Sequence, residues 1–148
     1  WVRGPEVASG YLDPDQTAAS FVDGWFRTGD LGTLDDGWLT VTGRLDDRII
    51  RGGENIYCSE VETAIYQHEA VAEAAVFGVP DDRLGEIVGV AIVLAPGASL
   101  DDAGLREFLA PTLAKFKIPE RMWFLGEPLP RNANGKFLKR ELRESLTA

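Results

Sequence analysis

Hydrophobic and polar positions alternate in several distinct ways along this chain, and each change of period marks an element boundary. Residues 1 to 24 show no sustained period. Gly4, Pro5, Gly10 and Pro14 punctuate them, with Val7, Tyr11, Leu12 and Phe21 between, so the segment reads as irregular. From Trp25 to Arg44 the pattern becomes strand-like on both sides of Asp36-Gly37, a dipeptide suited to a tight hairpin turn. "DRIIRGGENIY" predicts a second, shorter hairpin closing at Gly52 and Gly53.

Beyond it the period lengthens. Ser59 with Glu62 three residues later is a capping-box pair, and Val61, Ile65 and Tyr66 follow at helical spacing. "VAEAAVFGV" and "VGVAIVLA" are β-rich runs, and "PDDRLGE" between them reads as a loop. The continuous apolar character of the first run predicts a buried strand rather than an exposed edge. Leu105, Phe108, Leu109 and Leu113 predict a helix that opens near Asp101 and breaks at Pro111 or before Pro119. "RMWFL" predicts a last strand, "PRNANGK" a turn-rich loop, and Leu138, Leu142 and Leu146 one face of a terminal helix.

Strand, helix, strand, strand, helix, strand, helix is the order of an α+β domain of about one hundred residues. The preceding segment is β-rich. We therefore expect a division into residues 1–45 and 46–148, with the joint at Asp46. Overall charge sharpens the picture. A formal charge of -9 over 148 residues disfavours a nucleic acid or an anionic membrane as the general partner. Residues 115–148 nevertheless hold eight Lys or Arg against four Asp or Glu, so a small polyanion would favour that end.

A single cysteine, Cys58, permits no internal disulfide, and no apolar run approaches the roughly 18 residues of a membrane span. A reducing, cytoplasmic setting is expected. No His, Cys, Asp or Glu spacing suggests a metal site. The chain opens at Trp1 without an initiator Met, so we expect a piece of something longer.

Singly, the glycine-rich and charged stretches are what ordinary turns use. In combination "DGWFRTGDLG", "GRLDDRIIRGGENIYCSEVE" and "PRNANGKFLKREL" resemble the carboxy-terminal part of the adenylate-forming superfamily, specifically the AMP-forming acyl-CoA synthetases, which are fatty-acid and aryl-acid CoA ligases. The resemblance covers essentially the whole chain. It implies a small mobile carboxy-terminal domain, with a mixed sheet, helices and a β-hairpin, preceded by the β-rich tail of a large amino-terminal domain that binds ATP and the carboxylic acid. It also implies ATP and AMP, CoA, and a Mg2+ held mainly by phosphates and by residues elsewhere.

Residue by residue, the resemblance assigns nucleotide binding to Asp30 and Arg44. A carboxylate can accept from both ribose hydroxyls, and a fixed cationic fork suits phosphate. The plain alternatives are a strand-turn cap and a surface ion pair. Asp46 matches the hinge, and Lys136 matches the catalytic lysine, whose ammonium would stabilise charge building on the α-phosphate. Without its neighbours Lys136 would read as a solvated turn lysine.

Gly52, Gly53, Glu54 and Asn55 match the loop lining the pantetheine tunnel of CoA, with Glu54 a candidate to orient or deprotonate the thiol. The same glycines would serve a hairpin turn, and both roles are compatible. Arg83 and Lys117 lie where some relatives touch the CoA phosphates, but solvated surface charge is the simpler account of each. Leu84 departs from the aromatic found in some relatives. Cys58 is expected to be a small buried residue and His68 a helix-end or solvated one.

"GGEN" points to CoA rather than a carrier protein as thiol acceptor. The remaining alternatives are a luciferase-like enzyme, a carrier-linked adenylating enzyme, or a non-catalytic module that binds a nucleotide or a partner. The resemblance also implies a serine-, threonine- and glycine-rich phosphate loop in the amino-terminal domain, which this sequence lacks. The chain on its own is accordingly expected not to adenylate an acid.

Overall fold

The computed structural model describes all 148 residues and divides into two units, Trp1–Asp46 and Asp47–Ala148. In the first unit a short helix α1 (Pro14–Ser20) is followed by two small ribbons. The helix is a departure from the irregular segment expected there. Its cause is local: Asp13 accepts from the N–H groups of Asp15 and Gln16, and Pro14 supplies a preset φ in the first turn. Strands β1 (Phe21–Val22) and β2 (Trp25–Phe26) pair across Asp23-Gly24.

The expected hairpin forms from β3 (Asp30–Asp35) and β4 (Trp38–Arg44), which turn at Asp36 (φ 46°) and Gly37 (φ 82°), the left-handed pair that matches strand twist. No residue before Ile49 is buried. Leu34, Leu39 and Val41 stand on one face of this hairpin and are 74%, 62% and 62% exposed.

The second unit holds the core. Strands β5 (Arg48–Arg51) and β6 (Glu54–Tyr57) form the hairpin predicted at Gly52-Gly53, whose φ values of 57° and 90° account for both glycines. Helix α2 (Cys58–Ile65) begins one residue before the expected start, with Tyr57 at the cap position and no side-chain cap. Glu62 does not close a capping box; its carboxylate turns instead to the N–H of Val76 at 2.9 Å.

Strands β7 (Val71–Asp81) and β8 (Gly85–Leu94) pair antiparallel over nearly their whole length. The loop expected over "PDDRLGE" shrinks to residues 82–84, because Asp81 accepts from the N–H groups of Arg83 and Leu84 and folds the chain back at once. Helix α3 (Asp102–Leu109), capped by Asp101, ends just before Pro111. Strand β9 (Arg121–Leu125) runs parallel to β8, and helix α4 (Lys139–Leu146) closes the chain.

The sheet order is β6-β5-β8-β7, with β9 also on β8. Helices α2 and α3 cover one face through Val61, Ile65, Leu105 and Leu109 against Val76, Val88, Val90 and Ile92. Leu142 of α4 and Leu129 cover the other, against Phe77, Val79, Ile87 and Ala91. Burial of both faces explains the unbroken apolar run of β7.

Strand β7 nevertheless pairs with β8 alone, so in the ladder it is an edge, which the sequence pattern did not predict. Helix α2 guards that edge: the Tyr66 hydroxyl accepts from the N–H of Ala74 at 2.9 Å and donates to its carbonyl at 3.2 Å. No helix is long and apolar enough to cross a membrane.

Candidate functional site

Two stretches separated in sequence meet in the first unit. Asp30 and Arg44 are direct partners across β3 and β4, and the Arg44 Nη1 donates to Asp30 Oδ1 at 3.0 Å. The Arg44 Nε donates to Asp46 Oδ1 at 2.9 Å. One guanidinium thus joins the expected nucleotide carboxylate to the expected hinge residue, a link that residue types alone did not suggest. All three side chains keep substantial exposure, 42% for Arg44 and 70% for Asp46, so the cluster faces solvent. Asp46 itself lies in a single 3-10 turn, Leu45–Asp47.

In the second unit, the loop from Arg131 to Phe137 is closed by a bridge between those two residues. Asn132 organises it. Its Oδ1 accepts from the N–H groups of Asn134 (3.0 Å) and Lys136 (2.9 Å), while its own N–H donates to the Lys136 carbonyl. Gly135 sits at φ 80°, where a side chain would be strained. Arg131 ties the loop outward, donating to the Gly135 carbonyl at 2.8 Å and to Glu73 Oε1 at 2.9 Å. Glu73 also accepts from the N–H of Leu129. That bond, opposed by partial burial and helped by Arg131, holds the Glu73 carboxyl below the usual glutamate range. Lys136 is exposed, and its ammonium has no partner in this chain. The backbone is fixed and the side chain is left free to engage an external anion.

Directly after the loop, Lys139 on α4 is nearly enclosed. Its ammonium lies 2.6 Å from Asp47 Oδ2 and 2.8 Å from Glu62 Oε1, with 18% of the side chain exposed. Burial opposes its charge, but Cys58, Glu62 and Asp47 together outweigh it and raise the pKa above the ordinary lysine value. Burial pushes the Cys58 thiol far up, Lys139 pulls against it, and the two carboxylates add to the rise. Cys58 is therefore a neutral thiol at pH 7, and the carboxylates carry the attraction to Lys139. Sequence reasoning passed over this cluster. Its signal was Lys139 lying on the same helical face as Leu142 and Leu146.

The turn Gly52–Asn55 projects from the β5–β6 hairpin with all four residues exposed. A Cβ at Gly53 would meet nothing within 4 Å, so open space lies beside that backbone. No hydrogen bond or ion pair joins this turn to the Lys136 loop. Arg83 is exposed at the tip between β7 and β8, and its N–H serves the Asp81 turn. Lys117 is engaged, with its ammonium 2.6 Å and 2.8 Å from the two oxygens of Glu60. His68 accepts from the N–H of Ala70, and its ring meets Phe108 edge-on at 4.7 Å. No group of three His, Cys, Asp or Glu side chains is arranged to hold a metal.

A mixed sheet covered on both faces, with a glycine turn at one hairpin and a lysine loop before the last helix, is an architecture that comparison with known proteins places directly. The chain belongs to the AMP-binding enzyme C-terminal domain family, which matches residues 60–136. It is 48% identical over 144 residues to the 2-succinylbenzoate-CoA ligase of Geobacillus kaustophilus, covering 96% of this chain and 29% of that ligase. It is 47% identical over 132 residues to the fatty acid-[acyl-carrier-protein] ligase ScoC of Streptomyces coeruleorubidus, covering 88% of this chain and 25% of that protein.

Among solved structures, the o-succinylbenzoate CoA synthetase MenE from Bacillus subtilis, in complex with the acyl-adenylate intermediate OSB-AMP, matches with a TM-score of 0.89 and 42% identity. That match covers 95% of this chain and 29% of the synthetase. The chain thus spans under a third of the length of these relatives.

Proposed function

We propose that this chain is the carboxy-terminal part of an ATP-dependent, AMP-forming carboxylic acid:CoA ligase, acting in the cytoplasm. In the whole enzyme an acid and ATP give an acyl adenylate and pyrophosphate, and CoA then displaces AMP to give the thioester. The observation that carries the proposal is the Lys136 loop: an unpartnered ammonium on a backbone pinned by Asn132 and Arg131. Such a group can stabilise negative charge on a phosphoryl oxygen in a transition state without reorganising its own support.

Asp30 and Arg44 are assigned to the nucleotide and Asp46 to the pivot between the two half-reactions. In this assignment Arg44 is shared, bonded to one oxygen of Asp30 and to one of Asp46. Gly52, Gly53, Glu54 and Asn55 line the path of the thiol arm, with the space beside Gly53 in keeping with a close approach to backbone. Arg83, whose guanidinium makes no hydrogen bond or close ion pair, is the better placed of the two candidates for a CoA phosphate, since Lys117 already serves Glu60. The Mg2+ that accompanies ATP is assigned to its phosphates and to residues outside this chain. The apolar hairpin face of Leu34, Leu39 and Val41 is assigned to packing against the remainder of a large amino-terminal domain.

The test separates the half-reactions in a full-length enzyme carrying this sequence. Lys136→Ala is expected to slow acid-dependent ATP-pyrophosphate exchange by at least about a hundredfold, in the range of removing one preorganised charge-stabilising group. Thioester formation from supplied acyl adenylate should stay near the wild-type rate. Equal loss in both steps would reject the role. The 148-residue chain alone should show no exchange with any acid, and robust exchange would contradict the assignment.

A further inference from the structure

The β5–β6 hairpin hangs from the rest of the sheet by a narrow attachment. Strands β5 and β8 pair only at Arg51↔Gly85, with the Gly52 N–H donating to the Leu84 carbonyl at 2.8 Å. The N–H of Ile50, two residues before the glycine turn, finds a side chain rather than a backbone carbonyl: Glu86 Oε2 accepts from it at 2.9 Å. One carboxylate therefore replaces the missing rung between β8 and the hairpin.

An independent observation concerns Gly78 on β7. A Cβ placed there would sit 2.5 Å from Glu86 Oε1 and 2.7 Å from its carboxyl carbon. Gly78 has an ordinary backbone and is flanked by buried Phe77 and Val79, a setting in which alanine or valine would otherwise serve. The missing side chain makes room for this carboxylate. Glu86 and Gly78 are thus two parts of one splint, and its far end is the strand that leads into Gly52 and Gly53.

We propose that Glu86 is a positioning residue for the thioester-forming half-reaction, holding the Gly52–Asn55 turn in place while contributing nothing to adenylation. The inference rests on the assignment of that turn to the CoA thiol path. A carboxylate acceptor suits the role because it accepts from an N–H more strongly than a neutral oxygen does, and it reaches a strand that backbone pairing leaves behind. Displacement of a turn by even about 1 Å costs rate only in the step where the reacting group passes it.

The experiment compares Glu86→Ala, Glu86→Gln, Gly78→Ala and the Gly78→Ala/Glu86→Ala pair in a full-length enzyme carrying this sequence. ATP-pyrophosphate exchange and CoA-dependent thioester formation from supplied acyl adenylate are measured separately, alongside amide exchange at Ile50 and Gly52. Glu86→Ala is expected to reduce kcat/KM for CoA by about tenfold or more while leaving pyrophosphate exchange within about twofold. Glu86→Gln, which keeps an acceptor oxygen, should recover most of the loss.

Gly78→Ala pushes the carboxylate aside and should resemble Glu86→Ala. The double variant should be no worse than either single change, because both remove the same contact. Amide exchange at Ile50 should accelerate in every variant except Glu86→Gln. Equal losses in both half-reactions, unchanged Ile50 exchange in Glu86→Ala, or additive effects in the double variant would each overturn the proposal. A wild-type enzyme that adenylates acids yet forms no CoA thioester would overturn the thiol-path assignment, and this inference with it.

Discussion

An ammonium held between two carboxylates contributes most when its removal leaves both of them without a counter-charge, and Lys139 is in that position between Asp47 and Glu62. Lys139→Met keeps the length and apolar stem of the side chain but abandons both carboxylates. The expected loss of stability is about 2–3 kcal/mol, below the roughly 3–5 of a fully enclosed pair because both acids retain some solvent. Adding Glu62→Gln should restore part of it, read by denaturant unfolding of the variants. A silent Lys139→Met would mean that water replaces the ammonium at no cost. Cys58 shares this enclosure, so alkylation of the folded protein is expected to be slow, its thiol being both covered and held neutral.

At the scale of elements, the loop that carries Lys136 is tied to β7 through Glu73, and this tie titrates. Glu73 is held below the ordinary glutamate value of about 4.3. Its stabilisation is complete above that unfolded value and fades as pH falls through the lower folded one. A carboxyl-detected titration should place Glu73 below the exposed glutamates, with the Leu129 and Gly135 amides shifting alongside it. Titration at or above the ordinary value would remove the tie.

The sequence made some elements plain and hid others for identifiable reasons. Asp36-Gly37 and Gly52-Gly53 announced their hairpins because left-handed turns narrow the choice of residue. The Asp13-Pro14 start of α1 was equally local and was obscured by the surrounding glycines and prolines. The capping box at Ser59 failed because Glu62 was claimed by β7 and Lys139, partners distant in sequence. The direction of β9, parallel to β8, depends on packing between distant segments and leaves no periodic trace. In the site, Lys136 and the glycine turn were legible as motifs. Asn132, Arg131, Lys139 and Glu86 were not, since each acts through a contact formed only on folding.

For the molecule as a whole, every buried core residue lies at or beyond Ile49, in or packed against one five-stranded sheet. Residues 47–148 are therefore expected to unfold in a single cooperative transition when produced alone, as domains of this size do. Residues 1–46, which bury no side chain fully, should show no such transition. Coincident melting by near- and far-ultraviolet circular dichroism would check the first expectation, and a flat baseline the second. Cooperative melting of the short piece would show that its hairpin faces are sufficient without a covering partner.

The hydroxyl of Tyr66 occupies the place where an eleventh-hour neighbour strand would otherwise bind along β7. With the Glu62 carboxylate on the Val76 N–H, it covers the outward amides of Ala74 and Val76 that a second strand would otherwise pair with. Phenylalanine would fill the same volume and leave the Ala74 N–H and carbonyl open to another strand.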